Sequence, residues 1–241
     1  MQADIYHLYH SGVAVIINNR LFVFDYYRDR PSDTGGGLSN GTVTPQLLDK
    51  VDEIFVFVSH SHSDHFNPVI FDWKDYNEDI YYILSKDLKH YENDCEYMSP
   101  GEKKVVNNVV IKTYGSTDQG VSFLVSYQGL NIFHAGDLNW WKWKSFSRKE
   151  QLREEKQYKE EIKLIKENSI DIAFVPVDPR LEENFYLAGE HFINEVKPEL
   201  FIPIHFFDHY NITDEFKKLI EKKNTEVAVI SKSGEMINFK K

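Results

Sequence analysis

One cysteine, no long apolar run and a shortage of basic residues set the first limits on this chain of 241 residues. Cys95 alone cannot form an internal disulfide, and neither a cysteine-rich zinc site nor an iron–sulfur cluster can be built around it. It stands between Asp94 and Glu96, with no neighbour in sequence to lower its pKa, and is read as non-catalytic. Any metal must be held by histidines and carboxylates. No apolar run approaches the roughly 18 residues of a membrane span, and Met1-Gln2-Ala3-Asp4 lacks the basic start and apolar stretch of a signal peptide. The expected location is the cytoplasm. Lys and Arg number 28 against 38 Asp and Glu, a formal charge of −10, which disfavours binding through a phosphate backbone. No nucleic-acid partner is expected. Without a basic amphipathic helix, stable membrane insertion is not expected either. A small-molecule substrate is the expected partner.

What is present is a good supply of core: 41% hydrophobic and 15% aromatic residues. With no linker-like stretch and no internal repeat, residues 1–241 read as a single domain. Ile5 to His10, Val13 to Ile17 and Leu21 to Asp25 read as hairpin strands punctuated at Ser11-Gly12 and Asn18-Asn19. Pro31 to Gly41 reads as a surface loop too rich in glycine to pack, and it lacks the Gly-Lys-Ser/Thr of a phosphate-binding loop. A helical turn is expected at Gln46 to Lys50. Ile54 to Val58 is a short β-branched run, hence a buried strand. Ile80 to Leu84, Val109 to Tyr114, Val121 to Tyr127, Leu130 to His134, Ile170 to Val177 and Leu200 to Ile204 read as further strands. Gln128-Gly129 marks a tight hairpin.

Three helices are expected. Arg148 to Asn168 carries Leu152, Tyr158, Ile162 and Ile165 near one face. Leu181 to Val196 must end near Lys197-Pro198. Asp214 to Lys222 groups Phe216, Leu219 and Ile220. The pattern implies a sheet-rich α/β architecture covered by helices.

The sharpest feature is Ser59-His60-Ser61-His62-Ser63-Asp64-His65. A shuffled chain with ten histidines would contain His-x-His-x-Asp-His about once in a thousand trials. In an extended stretch side chains alternate, so His60 and His62 point the same way and can grip one metal, while Asp64 and His65 around the turn can serve a second. His7, His10 and His90 have no partners at ligand spacing. His191 reads as a polar-face residue of its helix, and His209 as a residue behind the site or on the surface.

This motif at the end of a buried strand resembles the metallo-β-lactamase superfamily, and further pieces follow in that family's order. Asn131 to Asp137 is similar to its strand ending in Gly-Asp, which implies that Asp137 bridges two metals. Phe201 to His205 is similar to its late strand, which implies that His205 completes the second site. The chain is most similar to the short branch that includes L-ascorbate phosphate lactonase-like proteins and N-acylphosphatidylethanolamine phospholipase D. The resemblance implies a four-layer αββα sandwich with two divalent metal ions, zinc foremost and manganese or iron as alternatives. It implies a hydrolase whose metal-bridging hydroxide, held by Asp64 and Asp137, attacks a small ester, lactone or phosphoester.

One position departs from the family. Where its members supply another His, this chain has Gly115-Ser116-Thr117-Asp118-Gln119-Gly120. Asp118 is the preferred replacement and His134 the alternative. With Asp64, Asp118 and Asp137 all ionised, two divalent ions keep one net positive charge instead of two. That harder, less electropositive site favours manganese or iron beside zinc. Diiron redox chemistry is a rival reading, although the chain has no room for the flavin domain of the family's diiron reductases; binding without turnover is another. Trp140, Trp141 and Trp143 either plug the sheet end or line a substrate pocket.

Overall fold

The computed structural model describes residues 1–31, 35–92, 94–220 and 225–241. Ser32, Asp33 and Thr34 of the glycine-rich loop, and Glu221 and Lys222 of the last expected helix, lie outside them. Two compact units are present, Met1–Met98 with Ile230–Lys241, and Ser99–Val229.

The first unit opens with three antiparallel strands, β1 (Gln2–Tyr9), β2 (Gly12–Ile17) and β3 (Arg20–Phe24). Asn18 and Asn19 take φ of 48° and 62° between β2 and β3, the left-handed pair that a two-residue hairpin turn demands. A short helix α1 (Pro45–Leu48) leads into β4 (Glu53–Val58), which pairs parallel to β3, and β5 (Ile80–Ser85) and β6 (Glu96–Met98) follow in parallel. Alternate residues of β4 explain its unbroken apolar run. Ile54, Val56 and Val58 join a core with Leu21, Val23, Trp73 and Leu84. On the opposite face Phe55 and Phe57 stack on Phe22 and Phe24 at 5.0 and 4.6 Å. A strand buried on both faces has no polar position to alternate. In the glycine-rich loop, Leu38–Asn40 forms a 3-10 turn that buries Leu38, so this part does pack, contrary to expectation.

The second unit repeats the plan: β7 (Lys103–Val106), β8 (Val109–Tyr114), β9 (Ser122–Tyr127) and β10 (Leu130–His134) are antiparallel, then β11 (Ile172–Pro176), β12 (Leu200–Ile204) and β13 (Glu226–Val227) continue in parallel. The long helix α2 (Arg148–Ile165) starts from a capping box of Ser147 and Glu150. Its buried positions are Glu154, Tyr158, Ile162 and Ile165. Leu152 is 46% exposed, because a residue six before Tyr158 falls on another face.

The helix expected over Leu181 to Val196 is broken. Pro179–Asn184 is a 3-10 turn in which Glu182 reverses the backbone (φ 53°, ψ −124°), and α3 proper is Leu187–Val196. Lys197 ends it in the left-handed conformation, just before Pro198. A Cβ on Gly189 of α3 would lie 2.5 Å from the ring of Phe216, so this close approach requires glycine. Helix α4 (Asn211–Leu219) begins earlier than expected and buries Ile212 and Phe216, with Ile220 beyond its end; Leu219 is exposed. The chain then returns to the first unit, where β14 (Glu235–Lys240) pairs with β1. Among the described residues no helix is long and apolar enough to cross a membrane.

His7 of β1 is fully buried opposite Glu235, and its Nε2–H donates to the carbonyl of His10 at 3.2 Å. Burial pushes its pKa from 6.5 down to about 4, against smaller upward pulls from that carbonyl and Glu235. The unfolded ring takes its proton first as pH falls. The contribution of neutral His7 is therefore complete above pH 6.5 and lost on descending to 4, amounting to about 3 kcal/mol. His7→Gln is expected to flatten the fall of the urea midpoint over that window; an unchanged slope would assign the loss to other groups.

Candidate metal centre

In the first unit β3 and β4 run parallel, with Phe24 opposite Phe57, so Asp25 and Ser59 leave the sheet side by side. Asp25 is buried and accepts from the Ser59 N–H at 2.7 Å, from the Ser59 hydroxyl at 2.7 Å and from His65 Nδ1 at 2.8 Å. The Ser59 hydroxyl, already donating to Asp25, accepts from His60 Nδ1 at 2.9 Å. Both imidazoles are thereby committed at Nδ1, and Nε2 is left as the lone-pair atom. Asp87, just past β5, accepts from the Ser61 N–H at 2.8 Å and anchors the middle of the loop.

His60 Nε2 comes within 3.0 Å of His62 Nδ1. The two rings converge as the alternation implied, although β4 has ended and residues 59–62 form no strand. His60 and His65 are fully buried, while His62 is exposed.

His10, given no role by spacing alone, belongs to this group. The first strand runs in the same direction as β3 and β4, so His10 emerges at the same sheet end. It is buried with φ of 56°, its Nε2 is 3.5 Å from Asp64 Oδ2, and its ring stands edge-on to His65. His10 is the main reason that the Asp64 carboxyl lies well below the usual carboxylate range. Only the sheet order reveals this neighbour, since ring and carboxylate are distant in sequence.

In the second unit β10, β11 and β12 again run parallel, and the residues beyond them meet. Asp137 Oδ1 is 3.1 Å from His205 Nε2, and the other ring nitrogen of His205 is 3.0 Å from Asp178. Asp178 is fully buried and held by Arg180 through Nε at 3.0 Å and Nη2 at 2.6 Å. Burial would push the Asp178 carboxyl up, but His205 and Arg180 more than reverse this and hold it at about 2.

The indole N–H of Trp141 donates to the Asp137 carbonyl at 3.3 Å; the hydroxyl of Thr117 donates to the Asn139 carbonyl at 2.6 Å and accepts the Asn139 N–H at 2.9 Å, with the Asp137 carbonyl 3.3 Å away. Thr117 thus ties the Asp118 loop to the Asp137 loop. Asp118 is exposed, with a carboxylate oxygen within 4.8 Å of one of Asp137. His134, by contrast, accepts the Gly136 N–H at Nδ1 and lies against Phe174. Trp141 packs on His205 and stacks parallel to Trp143, whereas Trp140 turns to Tyr158 and His191. His209 and His90 are exposed. Burial raises the Cys95 thiol to about 11, in keeping with an inert cysteine.

The donor chemistry fits divalent metal ions. Two ligand atoms of a tetrahedral zinc site lie about 3.3 Å apart, given bonds of about 2.0–2.1 Å. His60/His62 and Asp137/His205 already stand at 3.0 and 3.1 Å. Asp25, Asp178 and Ser59 reproduce the outer hydrogen bonds that metal-binding imidazoles need.

No protein-family model matches the chain. Solved structures do. Igni18, a metallo hydrolase from Ignicoccus hospitalis, superposes with a TM-score of 0.71 at 17% identity, over 100% of this chain and 99% of that one. The metallo-β-lactamase fold protein YhfI of Bacillus subtilis gives 0.61 at 12% identity, over 99% and 100%. CmlA of Streptomyces venezuelae, a diiron β-hydroxylase, gives 0.65 at 10% identity over 95% of this chain, which spans 52% of CmlA. The chain has the metallo-β-lactamase fold, as the resemblance implied.

Asp25→Ala strands the Ser59 N–H and removes the acceptor of His65. It is expected to cost about 2–4 kcal/mol in urea unfolding. A loss below about 0.5 kcal/mol, the range of surface substitutions, would mean that the loop does not depend on this carboxylate.

Proposed function

We propose that this protein is a binuclear metal-dependent hydrolase acting on a small ester, lactone or phosphoester, with both units forming one catalytic domain. The observation that carries the reading is the pairing of donor atoms at coordination distance, His60 with His62 and Asp137 with His205, each pair backed by a buried carboxylate. Igni18, named a metallo hydrolase, matches over the full chain, which supports reading both units as parts of such a protein.

In this reading His60, His62, Asp64, His65, Asp118, Asp137 and His205 would hold the two ions. Zinc is the first candidate, with manganese or iron favoured by the extra carboxylate. When bound, such ions supply Lewis-acid polarisation of the scissile group and an acidified water. The chain's own part is to position and to exclude. Asp64 and Asp137 are the catalytic carboxylates and orient the attacking water. Asp64 does so ionised, since His10 keeps its carboxyl low. Trp141 and Trp143 give the Asp137 side an apolar wall, which keeps competing water away from the reacting group.

CmlA favours a second reading, diiron redox chemistry, to which a mixed histidine and carboxylate donor set is also suited. Protein purified without added metal is expected to carry two ions per chain, mainly zinc, and to hydrolyse members of a panel of esters, lactones, phosphodiesters and thioesters. His62→Ala should lose one ion and at least 100-fold in rate. Asp118→Ala should do the same while leaving the urea midpoint within about 0.5 kcal/mol, as for an exposed side chain. Full hydrolysis after chelation would sink the proposal; iron with oxygen consumption would support the redox reading instead.

A further inference from the structure

We infer that Asp178 and Arg180 act as one neutral clamp that sets the ring of His205, making Arg180 a positioning residue for metal binding. The inference rests on His205 being a metal ligand, as proposed above.

His205 has a demanding backbone, with φ of 69°, and Phe207 beyond it has 48°. Trp141 packs on the His205 ring and Asp137 faces Nε2, while the contacts to Nδ1 come from one short segment. Asp178 follows β11 as His205 follows β12, and the parallel register brings Pro176 opposite Ile204. Asp178 also caps the next turn by accepting the Arg180 N–H at 2.9 Å. The cap folds the Arg180 side chain back onto the same carboxylate, where Nε and Nη2 engage both oxygens and Nη2 stands 3.3 Å from His205 Nδ1.

The guanidinium also lies 5.8 Å from the ring centre of Trp143 and 5.6 Å from that of Phe207. Fork and rings together favour the orientation in which it meets Asp178. The Asp178 carboxylate is thereby held 3.0 Å from His205 Nδ1, as the acceptor for an Nδ1–H. The lone pair of Nε2 then faces Asp137.

Charge explains why arginine is needed as well as aspartate. Asp64, Asp118 and Asp137 already neutralise three of the four positive charges of two divalent ions. An unpaired carboxylate behind His205 would weaken the field further. Arg180 cancels it, so the clamp orients the imidazole without drawing on the charge of the centre.

The test is metal affinity measured by competition with a chromophoric chelator, with urea midpoints as the folding control. Arg180→Met is expected to weaken one of the two bound ions by about 10- to 100-fold and leave the other unchanged. Arg180→Lys should recover part of the loss, since an ammonium restores charge but not the fork. Asp178→Asn should match or exceed Arg180→Met. Cobalt-loaded protein should show the absorption of one site altered and the other intact. Parent-like affinity for both ions in Arg180→Met would overturn the clamp, as would equal weakening of both. A parent protein that binds no metal would instead overturn the functional reading on which the clamp rests.

Discussion

A buried carboxylate placed behind an imidazole is the constraint on which the rest of the candidate centre depends. Asp25 serves His65 directly and His60 through the Ser59 hydroxyl, and Asp178 serves His205. At His65 and His205 the carboxylate takes the proton-bearing nitrogen, and at His60 the Ser59 hydroxyl does so; in each case this decides which nitrogen is left to bind. Such a group is costly to bury alone. Asp25 is stabilised by a backbone N–H, a hydroxyl and a ring, and Asp178 by an arginine fork.

Both arrangements arise from the same sheet plan. Each unit runs from antiparallel to parallel pairing, and donor residues leave the carboxyl ends of the strands around that change, the usual place for ligand sites in open α/β sheets. Asp25 and Asp137 follow the last strand of the antiparallel part; Ser59-His60 and Asp178 follow its first parallel neighbour. No repeat is visible in the sequence, because strands buried on both faces constrain only size and apolarity, and many residue combinations meet that demand.

Much of this was legible beforehand, unevenly. Strong local signals such as Ile54 to Val58, the Asn18-Asn19 turn and His60-x-His62-x-Asp64-His65 led to strand, hairpin and donor loop. The class of fold followed from the motif and the alternation after it. What escaped was set by tertiary neighbours. His10 has no ligand spacing in sequence and meets Asp64 only because β1 ends on the same sheet edge as β4. Asp178 looks like a turn residue before Pro179, and its service to His205 depends on the parallel register of β11 and β12. Leu152 looks like a core residue, yet the helix period sends it to solvent while Glu154 turns inward; Leu219, the last residue of α4, is exposed although it follows buried Ile212 by two turns.

The left-handed backbone at His10, Asp25 and His205 sets local strain against side-chain contacts. Each stands where a residue without a Cβ would be more comfortable. Glycine would relieve strain on the order of 1 kcal/mol at each position, yet at Asp25 it would also delete the acceptor of three hydrogen bonds, a loss larger than the relief. The fold itself therefore holds a side chain there, and a change at Asp25 that touches no donor atom still loosens the loop that carries them.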